Sequence, residues 1–131
     1  MNIILDWLAK RIPFHSAAED LLKRGEIGEI EILISTMSFI STEYILRKQL
    51  GKDKTKTVLS AVKNISTVCS SGEKVISLSL LSDFNDFEDA FQYYSALENS
   101  AQYIITRDFK GYSSSKIPVM NAEEFIKTQL P

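Results

Sequence analysis

A helix-forming segment that leads directly into a strand-forming segment is the strongest constraint on the fold of this chain. Residues 86–99 carry apolar side chains at intervals of three and four, which predicts an amphipathic helix. The apolar stripe consists of Phe87, Ala90, Phe91, Tyr94 and Leu97. The run Tyr103-Ile-Ile-Thr106 is short, β-branched and aromatic, as is typical of a buried parallel strand. This succession predicts an α/β fold.

Carboxylates stand at both ends of this helix–strand unit. Asp86 and Asp89 lie three residues apart at the start of the helix, and Asp108 comes just after the strand. Ligands of open α/β sheets bind at the edge where strands end, which makes Asp108 a candidate site residue. Each aspartate also has a simpler interpretation: Asp86 as a helix cap, Asp89 as a residue favoured by the helix dipole, and Asp108 as the start of a turn.

A fourth carboxylate, Glu43, lies on a predicted helix from Thr36 to Leu50 and shares a ridge with apolar side chains. The other members of that ridge are Phe39, Leu46 and Leu50. An ionised carboxylate there must be solvated, paired or bound to a cation. The simpler alternatives are that Glu43 reaches water at the edge of the ridge or pairs with Arg47. Together, the four carboxylates suit a hard divalent cation, which prefers oxygen ligands.

Composition excludes several other classes of protein. At 131 residues, 44% of them hydrophobic, the chain predicts one globular domain over residues 1–131. Because it has no long apolar run and no leader-like N-terminus, we expect a cytoplasmic protein with no membrane partner. Cys69 and His15 are single residues of their type, so any metal must be held by oxygen rather than by a Cys/His zinc site. With a formal net charge of −2, a phosphate-binding surface would have to be local.

Caps, stop signals and periodicity predict further helices and strands in alternation. The other predicted helices run from a cap at Asn2 to before Pro13, over Ser16–Arg24 with Gly25 as the stop, over Lys54–Asn64, over Glu73–Leu81, and from a cap at Asn121 to the C-terminal region. The helix that ends at Leu50 has Ser35 or Thr36 as its predicted cap and Gly51 as its predicted stop. The other predicted strands are Glu31–Ile34, Thr67–Cys69 and Ile117–Met120. Residues 109–116 are predicted to form a mobile loop.

Five motifs then occur in an order that points to one family. They are Asn2-Ile-Ile-Leu-Asp-Trp-Leu, Arg11-Ile-Pro13-Phe14, Glu43 within Ser-Thr-Glu-Tyr-Ile-Leu-Arg-Lys, Asp86-Phe-Glu-Asp89-Ala90, and Ile-Thr106-Arg-Asp108. This order resembles the PIN domain family, in particular its bacterial VapC-type toxins and their stand-alone relatives. The resemblance implies a three-layer α/β/α sandwich with a mostly parallel central sheet. It also implies a Mg²⁺- or Mn²⁺-dependent ribonuclease that cuts single-stranded RNA.

The resemblance assigns roles to particular residues. It implies that Glu43, Asp89 and Asp108 are the catalytic, metal-binding acids, with Asp86 as a further metal ligand. It places Asn2 and Thr106 as polar residues beside the site. Basic side chains near Asp108 and on the preceding helices are candidate contacts to the RNA backbone, although a solvated helix face is the simpler interpretation of Lys52–Lys56. These basic residues are Arg107, Lys110, Lys116, Arg47, Lys48, Lys52, Lys54 and Lys56, and Tyr112 is a further candidate contact. The family also implies a homodimer and an antitoxin partner.

One departure from the family pattern bears on activity. Family members begin with an apolar strand that ends in an aspartate two residues before the asparagine, whereas only Met1 precedes Asn2 here. In the family that strand lies in the middle of the sheet, so its loss would leave two strand edges unpaired. The true start could lie upstream, the chain could be a degenerate member, or Ile3-Ile4-Leu5 could form the strand with Asp6 as its acid. The spacing to Pro13-Phe14 argues against the last account.

Three functional hypotheses therefore stay open at the level of sequence. With a strand and an aspartate upstream of Met1, the chain is expected to be a metal-dependent endoribonuclease. Without them, it is expected to be an inactive PIN-like module that binds nucleic acid or protein. The third hypothesis is a small-ligand α/β protein unrelated to the family, in which Glu43, Asp89 and Asp108 lie far apart.

Overall fold

The computed structural model describes residues 2–8 and 10–130, except for the side chain of Asn2. In chain order the elements are α1 (Asn2–Leu8), α2 (His15–Glu26), β1 (Leu33–Ser35), α3 (Thr36–Leu50), α4 (Lys52–Asn64), β2 (Thr67–Cys69), α5 (Glu73–Leu81), α6 (Phe87–Glu98), β3 (Ile104–Ile105), a 3-10 helix (Lys110–Tyr112), β4 (Val119–Met120) and α7 (Ala122–Gln129). This succession of helices and short parallel strands confirms the predicted α/β/α class. Within the described residues, no helix is long and apolar enough to span a bilayer.

The strands form two separate parallel pairs within the described part of the chain. Ile34 of β1 lies opposite Val68 of β2, and Ile105 of β3 lies opposite Met120 of β4. No strand among the described residues connects the two pairs.

Helix α1 contributes to the core of both strand pairs. Ile3 packs on the apolar cluster that contains Met120 and Ile105, whereas Ile4 packs with Ile34. The alternative in which Ile3-Ile4-Leu5 forms a strand is wrong, because these residues form the first turns of α1. The helix allows adjacent apolar residues to reach different clusters, which keeps Ile3, Ile4 and Leu5 all substantially buried.

Three predicted helix caps are confirmed. The Oγ of Ser35 accepts a hydrogen bond from the Ser38 N–H at 3.0 Å, which begins α3. Asp86 begins α6 and Asn121 begins α7 in the same way, each by accepting a bond from the backbone N–H three residues later. Such a bond satisfies one of the donors that a helix start leaves without a partner inside the helix.

The prediction that Gly25 stops α2 is wrong. The helix runs through Gly25 to Glu26, because the missing side chain makes room for Ile32 rather than for a turn. A Cβ at Gly25 would overlap the Cδ1 of Ile32. Gly25 therefore serves close packing beside β1, whereas Gly51, with a φ of 82°, does separate two helices as predicted.

Candidate metal and RNA site

The first turn of α6 presents Asp89 toward the segment that follows β3. Asp86 holds this turn in place, since its Oδ1 accepts the Asp89 N–H at 3.1 Å. The extended backbone of Asp86 and its short polar side chain are what this cap requires. Asp89 is half-buried and lies at the positive end of the helix dipole.

Asp108 is held at the end of β3 by short-range bonds. Its N–H donates to the Oγ1 of Thr106 at 3.1 Å, and its Oδ1 accepts a longer bond of 3.4 Å from the Gly111 N–H. Thr106 itself continues the β3–β4 pairing, because its N–H donates to the Met120 carbonyl at 3.0 Å. Thr106 therefore links Asp108 to the paired strands β3 and β4.

Gly111 brings the two aspartates to one place. A Cβ at Gly111 would overlap the Oδ2 of Asp89, so the backbone of the 3-10 helix lies directly against that carboxylate. The same glycine donates its N–H to Asp108. Asp89 and Asp108, which come from different elements, therefore meet at a single glycine that has no side chain to separate them.

Carboxylates are the charged groups that shift the pKa of Asp89. Burial raises the pKa of Asp89, and the charges of Asp86, Asp108 and Glu88 raise it further. The pKa of the buried Tyr112 hydroxyl is also raised, first by burial and then by the same carboxylates. Repulsion of this kind disfavours ionised oxygens at neutral pH, and a bound cation would relieve it.

Glu43 has a different environment. Its Oε2 lies 3.4 Å from the Nε of Arg47, which is the pairing that the sequence offered as the simpler alternative. Glu43 is not among the groups that raise the pKa of Asp89. Within residues 2–8 and 10–130, no three carboxylate, histidine or cysteine side chains come close enough together to hold a metal ion.

Two carboxylates are nevertheless a reasonable set of protein ligands for Mg²⁺. This ion keeps several of its waters and is often bound by one or two carboxylates together with substrate phosphates. The oxygen-only donors Asp89 and Asp108 fit such an ion, as does the negative potential around them.

Lys110 and Asn2 are two further predicted contacts. Lys110 is exposed in the 3-10 helix, one residue before Gly111. Asn2 forms the first residue of α1, but its side chain, predicted as a helix cap and as a substrate contact, lies outside the described part of the structure. The predicted loop over residues 109–116 contains the 3-10 helix Lys110–Tyr112.

Arg107 makes a contact that the sequence did not reveal. Its Nε and Nη2 donate to the two carboxylate oxygens of Asp6, at 3.0 and 2.9 Å. Asp6 is completely buried, and the guanidinium lies 3.8 Å from the ring centroid of Phe14. One signal was available: a carboxylate inside the apolar run of α1 needs a partner. Because the two residues are 101 positions apart in the sequence, local patterns do not identify Arg107 as that partner.

Comparison with known proteins agrees with this fold. A family model described as PIN domain matches residues 1–110. The chain is 28% identical over 130 residues to a protein from Aquifex aeolicus (strain VF5) named Ribonuclease VapC1, and the match covers 95% of this chain and 88% of that protein. No solved structure gives a significant match.

Proposed function

Because the chain belongs to the PIN domain family, we propose that it is a divalent-metal-dependent ribonuclease that cleaves single-stranded RNA. The observation that carries this proposal is the meeting of Asp89 and Asp108 at Gly111, where burial and then repulsion among carboxylates raise the pKa of Asp89. The similarity to a protein named as a ribonuclease supports RNA as the substrate.

In this proposal the protein contributes positioning and electrostatics. Asp89 and Asp108 would hold Mg²⁺ or Mn²⁺. Asp86 fixes the backbone of Asp89 by accepting its N–H, and Thr106 fixes the backbone of Asp108 in the same way. When bound, such an ion activates water and neutralises charge on the phosphate oxygens. Glu43 and Asp86 remain proposed further ligands, although Glu43 would have to leave Arg47 to take that role.

We extend the proposal to partners. The similarity to VapC1 supports a toxin of a toxin–antitoxin pair, with an antitoxin segment that fills the acidic cleft. A homodimer is proposed on the same basis. A single-stranded substrate suits the site, because an unpaired strand can bend its phosphate toward the two aspartates.

A second candidate function is an inactive PIN-like module that binds nucleic acid or protein. One observation favours it: the described residues bring no third metal-binding side chain to Asp89 and Asp108. If two carboxylates held the ion too weakly, the chain would bind RNA without cutting it. The two candidates differ in whether divalent ions matter.

Metal removal separates the two functions. We expect a labelled single-stranded RNA to be cut in the presence of Mg²⁺ or Mn²⁺, to stay intact in EDTA, and to be cut again when excess Mn²⁺ is added. A duplex of the same sequence should be cut more slowly. RNA binding with no cleavage under any of these conditions would support the inactive module instead.

A basic surface on α4 is the proposed contact to the RNA backbone. It consists of Lys52, Lys54 and Lys56, which are exposed and which make no ion pair within the described residues. We expect the change of all three to alanine to weaken RNA binding and to lower the slope of log affinity against log salt by about 2, since each lost phosphate contact removes about 0.7. Binding should be measured over a series of salt concentrations in an Asp89→Asn background, so that the RNA is not cut.

The chain offers a matched control for this experiment. Lys23, Lys74 and Lys127 pair with Glu19, Glu98 and Glu123 at 3.0, 3.0 and 3.2 Å. Their change to alanine alters the net charge by the same amount but should leave the salt slope unchanged. Equal losses in both triple variants would mean that net charge, rather than the α4 surface, governs RNA binding.

A further inference from the structure

The starting observation is a buried charge far from any local partner. Asp6 has no exposed surface, and its two oxygens each accept a bond from Arg107. An isolated carboxylate in such a place is strongly unfavourable, so Asp6 requires the guanidinium. A bidentate pair also fixes direction, because the planar fork matches the carboxylate in one orientation.

A second contact fixes the other face of Arg107. The ring of Phe14 lies 3.8 Å from the guanidinium carbon, within the range of a cation–π interaction. Phe14 immediately precedes α2, and the Nδ1 of His15 lies 3.1 Å from the Trp7 carbonyl at the end of α1. The α1–α2 corner therefore contacts one side chain of the β3–β4 connection, Arg107, through both Asp6 and Phe14.

Arg107 stands between the two residues that define the acidic site. Thr106 precedes it and accepts the Asp108 N–H, and Asp108 follows it. Strand β3 is only two residues long, so backbone pairing alone gives this segment little support. Among the residues that the structure describes, the hydrogen bonds of Asp108 reach only Thr106 and Gly111, and Thr106 adds one bond from its N–H to the Met120 carbonyl.

We propose that Asp6 and Phe14 are positioning residues that act through Arg107 to hold Asp108 beside Asp89. The functional meaning of this position rests on the proposed ribonuclease activity, whereas the positioning itself does not. Asp6 therefore has a task distinct from metal binding, since both of its oxygens are occupied by the guanidinium.

The test compares conservative variants in the absence of metal. Arg107→Lys keeps the charge but loses the fork and the stacking surface, and Asp6→Asn keeps the shape but loses the charge. Arg24→Lys is the matched control, because Arg24 also binds two carboxylates, at 3.1 and 3.0 Å, and has a side-chain exposure of 23% against 29% for Arg107.

The readout is the NMR order parameter of the Asp108 and Gly111 amides. We expect it to fall from about 0.85, typical of rigid backbone, to below about 0.6 in Arg107→Lys and Asp6→Asn. It should be unchanged in Arg24→Lys. Unchanged order parameters in folded Arg107→Lys and Asp6→Asn would overturn the proposal. Should Asp6→Asn fail to fold, Arg107→Lys alone decides, since it leaves a cation facing Asp6.

Mn²⁺ affinity then links the positioning to the proposed function. We expect Arg107→Lys and Asp6→Asn to bind Mn²⁺ at least about tenfold more weakly than the unaltered protein, as is typical when a supporting residue of a metal site is lost. If the unaltered protein binds no Mn²⁺ while the order parameters still fall, the ribonuclease proposal fails and the positioning of Asp108 stands. If it binds Mn²⁺ and the variants bind equally well, the positioning role is contradicted.

Discussion

Replacing Asp89 with asparagine is expected to lower the rate of RNA cleavage more than about 100-fold, because an amide cannot supply the charged oxygen that the proposed ion needs. Cleavage of a labelled single-stranded RNA in Mn²⁺ measures the effect. Glu88→Gln, in the same helical turn but with an exposed side chain, is the control and should change the rate by no more than about twofold. Comparable losses in both variants would mean that the charge of the turn matters more than Asp89 itself.

The same substitution should not unfold the protein. The pKa of Asp89 is raised in the folded state by burial and by neighbouring carboxylates, so this group favours folding at low pH and loses that contribution as pH rises through its folded pKa. Asparagine carries no such penalty. We therefore expect Asp89→Asn to melt at a higher temperature than the unaltered protein at neutral pH without metal, and the difference to shrink on acidification. A lower melting temperature at neutral pH would contradict this assignment.

The second large effect concerns stability. Arg107→Ala is expected to lower the free energy of unfolding by about 3–5 kcal/mol, because it leaves Asp6 buried and unpaired. Denaturant unfolding at neutral pH measures the change. In the double variant Asp6→Leu/Arg107→Leu the loss should be much smaller, because removing both partners leaves no buried charge.

Arg24→Ala is the control for this prediction. Its partners Asp20 and Glu29 have side chains exposed by 45% and 47%, so water replaces the lost bonds and the change should be about 0–1 kcal/mol. If Arg107→Ala destabilised the protein no more than Arg24→Ala, Asp6 would have to find another partner or reach water. Arg107 would then not be needed to stabilise Asp6.

The parts of this fold that sequence could predict are those with local causes. Ser35, Asp86 and Asn121 each cap a helix by accepting a bond from the amide three residues later. A short polar residue directly before a helical pattern is visible in the sequence. The prediction that Gly25 ends α2 is wrong because the role of Gly25 depends on Ile32, which packs against it from outside the helix. The strands were harder to place, since two or three residues carry little pattern.

The candidate site also has parts that the sequence could predict and parts that it could not. Asp89 and Asp108 could be singled out because the start of a helix and the end of a strand are local features. The meeting at Gly111 could not, since a contact between a glycine backbone and a carboxylate leaves no mark on the sequence. Glu43 matched the family motif, yet its position on α3 also allowed the pairing with Arg47 that the structure contains. The Asp6–Arg107 pair depends on folding across most of the chain.

The central claim is that Asp89 and Asp108 together hold a divalent ion, and calorimetric titration with Mn²⁺ tests it most directly. The unaltered protein should bind Mn²⁺ at one site per chain, and both Asp89→Asn and Asp108→Asn should remove that binding while Glu88→Gln retains it. Absence of Mn²⁺ binding by the unaltered protein, or Mn²⁺ binding by either aspartate variant as strong as that of the unaltered protein, would contradict the claim.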